Sequence, residues 1–292
     1  MDENWIFRAA PSWTPRGWGR IGLSPTFIEA AWCQAVGELS TVALELGMGI
    51  GSAKWYWWGM TSAIIVAAGT SSRMGAQTDK LFLPLAGRPL VAHTWQRFDS
   101  ANCIAEIVLV VREGRQGAFA ELAAAFGFRK PFRLVAGGPE RQDSVWNGLQ
   151  KLSPGTDVVA IQDAARPCTS EALIEATIAA ARQGGAAAAA QPVSDTIKHS
   201  DDGRTIARHL DRSRLWAVQT PQTFRVEVIR QALAKVREKH LLVTDDTAAC
   251  EWIGQAVQLV CRPEPNPKLT RPEDVPVVEL LLGKMQEGLR NP

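Results

Sequence analysis

From residue 60 onward, short apolar runs alternate with longer stretches whose apolar positions recur every three or four residues. The short runs are AIIVA (63–67), EIVLVV (106–111), FRLV (132–135), DVVAIQ (157–162) and VQLV (257–260). Each has strand length and is bounded by polar or turn-forming residues. Helical periodicity falls at about 89–99, 115–126, 142–151, 170–183, 225–238, 245–253 and 272–289. This alternation predicts an α/β fold, a mainly parallel sheet with helices on both faces. Ligands of such sheets lie beyond the carboxyl ends of the strands, where the strand order reverses.

Two regions depart from that rhythm. The segment 186–216 reads as an extended β-arm with a polar turn at Ser200 to Gly203, although Ala186 to Ala190 alone would favour helix. Residues 1–59 show one possible helix at 28–46 and little other punctuation, yet hold seven of the eleven tryptophans. The predicted division is therefore an N-terminal extension of unassigned role (1–59) and one domain (60–292). A misassigned start, with Met60 as the true first residue, is the expected explanation. The alternative is a real extension that folds over the domain or binds a partner.

Composition narrows the class. Hydrophobic residues make up 46% of 292 residues, enough for a sizeable core. The balance of 32 basic and 30 acidic residues leaves +2, so no broad nucleic-acid or anionic-membrane surface is expected. Five scattered cysteines form no CxxC or Cys/His pattern and suit a reducing cytoplasm, the expected location. The apolar stretch at 27–53 is interrupted by Glu29, Glu38 and Glu45, so no membrane span is predicted.

Candidate chemistry gathers at strand ends. The loop AAGTSSRMGAQTDK (67–80) follows the first strand, is built from small residues, and carries Arg73 and Lys80. Small residues let backbone N–H groups approach anionic oxygens, while a guanidinium fork and a mobile ammonium suit a triphosphate. A mobile surface turn with two solvated cations is the bland alternative. GGPERQDSV (137–145) sets a glycine pair, Arg141 and Ser144 at a helix start, where Ser144 can cap the helix or meet a base or ribose. DAARP (163–167) places Asp163 at a strand end, where it can hold Mg²⁺ or pair with Arg166. Lys268 follows the last strand in NPKLTRPED. The histidines His93, His199, His209 and His240 lack metal-ligand spacing, and no GxSxG elbow appears.

These motifs, together with DTIK, DRSRLWAVQTPQTF, TDD and KLTRPEDV in that order, resemble the 2-C-methyl-D-erythritol 4-phosphate cytidylyltransferase family over about residues 62–282. The resemblance implies a Rossmann-like fold that dimerises through its β-arm, and transfer of CMP from CTP to methylerythritol phosphate with Mg²⁺ in isoprenoid synthesis. It assigns Ala67, Ala68, Gly69, Gly138 and Ser144 to the nucleotide and Asp163 to the metal. Catalytic roles fall on Arg73, Lys80, Arg212 and Lys268. Arg166, Thr244 and Lys268 match positions near the second substrate, while Thr196, Arg212 and Thr220 match arm residues that reach the partner subunit's site.

Departures from the family pattern are Gln162 where His is frequent, TDKL where a Pro-Lys-Gln run is usual, and Pro267 before Lys268, which could redirect that lysine. Two rival readings are a ribitol-5-phosphate cytidylyltransferase and a catalytically silent nucleotide-binding relative. DAARP, DTIK and TRPED favour methylerythritol over the first, and the joint presence of Arg73, Lys80, Asp163 and Lys268 argues against the second.

Overall fold

The computed structural model describes residues 59–69 and 79–290. Residues 1–58 and 70–78 lie outside the described residues, and with them nearly all of the expected N-terminal extension and Arg73.

A seven-stranded sheet forms the centre. Its strands are β1 (Met60–Ala67), β4 (Glu106–Val111), β5 (Phe132–Ala136), β6 (Thr156–Asp163), β7 (Ala186–Pro192), β10 (Trp216–Arg225) and β11 (Gln258–Val260). Short pairs β2 (Pro84–Leu85) with β3 (Arg88–Pro89), and β8 (Lys198–His199) with β9 (Arg208–His209), stand apart from it. The order is β11-β7-β10-β6-β1-β4-β5. The chain therefore runs from β1 to one side through β4 and β5, then crosses back to β6 on the other. This reversal opens a crevice at the carboxyl ends of β1 and β6, whose register sets Val66 beside Asp163.

β1, β4, β5 and β6 are parallel, as is the β7–β11 pair, while β10 runs antiparallel between β6 and β7. Because strand side chains alternate in direction, Ile64, Val108, Val110 and Ile161 face one core and Ile65, Ile107, Leu109 and Ala160 the other. The second of these cores is closed by α1 (Leu90–Ser100), α2 (Gln116–Phe126), α4 (Glu171–Gly184) and α7 (Val275–Arg290), which contribute Trp95, Phe119, Ile178 and Leu282. The first is closed by α3 (Arg141–Leu149), α5 (Val226–Glu238) and α6 (Asp246–Glu251), through Leu149, Leu233 and Cys250.

The expected arm is corrected at its root. Ala186 to Ala190 are at most 1% exposed and form the body of β7, flanked by β10 and β11 and covered by α4. Helix propensity loses here because small side chains allow α4 to pack closely on a strand hydrogen-bonded along both edges. Only residues 193–215 leave the sheet, with β8 and β9 pairing inside that excursion. Its turn is organised by Asp202, whose Oδ1 accepts from the backbone of Arg204 and Thr205 at 2.8 Å each. The final helix also starts later than its periodicity implies, since Pro272–Asp274 form a separate 3₁₀ turn. Among the described residues, no helix is long and apolar enough to cross a membrane.

Candidate active site

A cleft of about 320 Å³ opens at the strand-order reversal. It is lined by the end of β1 with Ala67, Ala68 and Gly69, by Lys80, Lys268 and Thr270, and by Asp163 to Ala165 at the end of β6. The loop from β5 into α3, including Gly138, Arg141 and Ser144, also lines it.

That loop fits there because two glycines let backbones touch. A Cβ on Gly137 would overlap the Ala68 Cβ, and one on Gly138 would overlap the Cβ of Asp143. A side chain at Gly137 would force the loop and the end of β1 apart, and one at Gly138 would force the loop and the start of α3 apart. Glu140 and Asp143 cap α3 reciprocally, so Ser144 is not the cap. Its hydroxyl instead accepts from the Gly138 N–H at 3.1 Å. Arg112, at the end of β4, donates to the Gly69 carbonyl at 2.9 Å and anchors the opening of the small-residue loop.

Asp163 is the electrostatic centre. Lys268 Nζ lies 2.8 Å from its Oδ2, with Arg166 Nε at 3.6 Å and Arg141 Nε 3.7 Å from Oδ1. Burial alone would raise its pKa, but Lys268, Arg141 and Arg166 outweigh burial and hold the carboxyl below the usual range. Arg141 also reaches a second carboxylate, Asp246, with Nη1 2.7 Å from Oδ2. Asp246 is 1% exposed, and burial drives its pKa upward against the pull of Arg141.

The loop that carries Lys268 is tied down from below. Arg166 donates to the Asn266 carbonyl at 2.7 Å, Asn266 donates to the Thr220 carbonyl at 2.8 Å, and the Thr220 hydroxyl accepts from the Asp163 N–H at 3.0 Å. Leu269 donates its N–H to the Ala165 carbonyl at 2.9 Å and accepts from Lys80 Nζ at 3.0 Å. Pro267 therefore leaves Lys268 pointing at Asp163. Gln162 is fully buried and donates to the Thr169 hydroxyl at 2.8 Å, a bracing role behind the DAARP turn.

Ala67, Ala68, Gly69, Lys80, Gly138, Ser144, Asp163 and Lys268 thus meet around one cleft, with Arg166 packed behind Asp163. Thr220 belongs to the buried part of β10 at Asp163 of its own chain, which corrects its assignment to the arm. Thr196, Thr244 and Arg212 are exposed and do not line the cleft, and Arg212 donates to the Ser194 carbonyl at 2.6 Å. Among the described residues, no histidine lines it either. Arg141 was visible in GGPERQDSV but had no assigned role, and Asp246 carried no signal beyond its place in TDD.

For a divalent cation the donors are sparse. Among the described residues, no cluster of three or more His, Cys, Asp or Glu could cage a metal. A lone carboxylate fits Mg²⁺, which takes one or two carboxylates and completes its shell with water and phosphate oxygens. Oδ1 of Asp163 supports that fit, because Arg141 stands beyond hydrogen-bond distance from it.

The model of the 2-C-methyl-D-erythritol 4-phosphate cytidylyltransferase family matches residues 61–284. The chain is similar to proteins of that name from Alkaliphilus oremlandii, 41% identical over 78% of this chain and 97% of the relative. The corresponding protein of Syntrophotalea carbinolica is 44% identical over 75% of this chain and 94% of its own length. A solved structure described as 4-diphosphocytidyl-2C-methyl-D-erythritol synthase from Anaerococcus prevotii superposes with a TM-score of 0.68 at 29% identity, covering 77% of this chain and 96% of that one. The matched span contains the sheet from Thr61 onward and every residue that lines the cleft, and the chain belongs to the 2-C-methyl-D-erythritol 4-phosphate cytidylyltransferase family.

Proposed function

We infer that the cleft transfers CMP from CTP to 2-C-methyl-D-erythritol 4-phosphate. A phosphate oxygen of the acceptor bonds to the α-phosphorus, the bond from that phosphorus to the bridging oxygen breaks, and pyrophosphate leaves with the electron pair. The observation that carries this reading is that Lys80 and the Lys268–Asp163 pair line one cleft together with the small residues Ala67, Ala68 and Gly69.

The nucleophile needs no base. The second pKa of a phosphate monoester is about 6, so the acceptor is largely ionised at neutral pH. The barrier lies in bringing two anions together and stabilising added charge at the α-phosphate, which calls for fixed cations. Lys80, and Arg73 by the family resemblance, supply charge at the α-phosphate. Lys268 and Arg166 favour the acceptor phosphate. The Gly138 loop and Ser144 hold the nucleoside against Ala67, Ala68 and Gly69. Asp163 would hold Mg²⁺, which supplies further charge neutralisation on the triphosphate when bound.

A homodimer completes the reading. The excursion 193–215 and its exit into β10 expose Ile206 (69%) and Trp216 (39%), an apolar surface whose cost falls when it is buried against a second copy. Thr196 and Arg212 would then serve the partner's cleft, and Thr244 would border the acceptor.

The test is pyrophosphate release from CTP with Mg²⁺ across a panel of polyol phosphates. Methylerythritol phosphate should be the preferred acceptor. Preference for ribitol 5-phosphate would overturn the substrate, and no release with any acceptor would overturn the reaction.

A further inference from the structure

Asp246 is poorly explained by stability. It is 1% exposed, and among the described residues its oxygens make no hydrogen bond beyond the ion pair with Arg141. Its backbone N–H is given to the Gln222 Oε1 at 3.0 Å, which fixes where the carboxylate stands. Burying an ion pair costs desolvation on both sides, and apolar replacements often hold a fold equally well.

The geometry around Arg141 suggests what the carboxylate does. The guanidinium lies between two anions but closes on only one: Nη1 is 2.7 Å from Asp246, whereas Nε is 3.7 Å from Asp163. Lys268 already occupies Oδ2 of Asp163 at 2.8 Å. Arg141 and Asp163 are already an ion pair at 3.7 Å; were Arg141 released from Asp246, a shift of about 1 Å would close that pair to a direct charge-assisted hydrogen bond. Both oxygens of Asp163 would then be held by protein cations.

We propose that Asp246 is a positioning residue, which by holding the Arg141 guanidinium keeps Oδ1 of Asp163 open to the cleft for a divalent cation carried by the nucleotide. This rests on the cytidylyl-transfer reading. It gives a reason for a buried charge 83 positions along the chain from Asp163, in a helix none of whose residues lines the cleft.

Two variants test it, Asp246→Asn and the double variant Arg141→Gln/Asp246→Asn. The readout is Mn²⁺ binding in the presence of CTP, followed by the paramagnetic resonance signal of free Mn²⁺, with thermal unfolding and steady-state kinetics beside it. Asp246→Asn should weaken Mn²⁺ binding by about tenfold or more, the range seen when groups behind a metal ligand are removed. The double variant, lacking the released cation, should return to within about threefold of wild type by the same reasoning. A purely structural role predicts the opposite order, with the double variant no better than the single.

Unchanged Mn²⁺ binding in folded Asp246→Asn overturns the proposal, as does a double variant that binds as poorly as the single. If Asp246→Asn does not unfold cooperatively, the double variant alone decides, since neutral amides replace both charges: binding near wild type supports the proposal and lost binding overturns it. A wild-type protein that releases no pyrophosphate would sink the cytidylyl-transfer reading itself. An active wild type with a metal-insensitive Asp246→Asn overturns only the role of Asp246.

Discussion

Lys80 and Leu269, 189 positions apart, are joined by a 3.0 Å hydrogen bond from the ammonium to the backbone carbonyl. One cation of the cleft is thereby aimed by the loop that carries another, because Lys268 precedes Leu269 directly. Rearrangement of the loop at 266–270 would move both charges together.

From this arrangement, Lys80→Ala should lower turnover far more than CTP affinity, because its contact strengthens as the α-phosphate gains charge. The expected loss in kcat is about two to three orders of magnitude, as for other removed charge stabilisers. Arg73→Ala should behave alike on the family resemblance. Single-turnover rates beside equilibrium CTP binding make the comparison, and near wild-type turnover at saturation would remove either residue from its role.

Gly138→Ala should damage nucleotide binding before it damages the fold. The added methyl meets Asp143 at the first turn of α3, so the loop and the helix start must shift against each other where both border the cleft. Overpacking of this kind costs about 1–3 kcal/mol. A KM for CTP raised severalfold, with a modest fall in melting temperature, is the expected pair of readings. An unchanged KM would show that the loop can relax without disturbing the site.

The dimer proposal predicts complementation. Arg212→Ala and Lys80→Ala, each inactive alone, should regain partial activity on mixing, because some mixed dimers then carry one site with both residues intact. Absence of recovery after verified subunit exchange would leave Arg212 serving its own chain or no site.

At the opposite end of the sheet, Glu106 offers a pH test unconnected with catalysis. It accepts from Ser62 at 2.9 Å, from the Ser153 N–H at 2.7 Å and hydroxyl at 2.6 Å, and pairs with Arg133 at 2.6 Å. Burial pushes its pKa up, but those hydrogen bonds and Arg133 prevail and lower it. A carboxyl with a folded pKa below its unfolded value adds stability above the unfolded pKa, and loses it as pH falls through the folded pKa. Glu106→Gln should therefore cost about 1.5–3 kcal/mol at neutral pH, the range for hydrogen bonds to charged groups. Urea denaturation should show the gap to wild type closing as the pH is taken below about 4, near the ordinary glutamate pKa. A pH-independent gap would mean that packing, not charge, is lost.

Much of this molecule was readable in one dimension. Five short apolar runs became strands and seven periodic stretches became helices, because period and length report which faces must leave water. Ser170 and Asp245 stand at helix starts and cap them by accepting from Leu173 and Ala248. The cleft residues of the loops after β1 and β6 were legible as candidates because both loops follow strand ends, but each alone also allowed a structural reading, and it was the ordered set of motifs that assigned them.

What sequence could not specify was every relation between distant segments. The run Ala186 to Ala190 favours helix by composition and reads as the root of an arm, yet it forms an interior strand, because its neighbours β10 and β11 satisfy its backbone on both edges. Gln222 to Arg225 pair antiparallel with β6 only because the chain has travelled out through 193–215 and returned. Asp246 is one acidic residue among 30 acidic positions until α6 sets it against Arg141. Local propensity and periodicity decide which elements form and which face turns inward. Which charges meet is decided by tertiary packing, since ion-pair and hydrogen-bond energies depend on distance and burial that no linear pattern encodes.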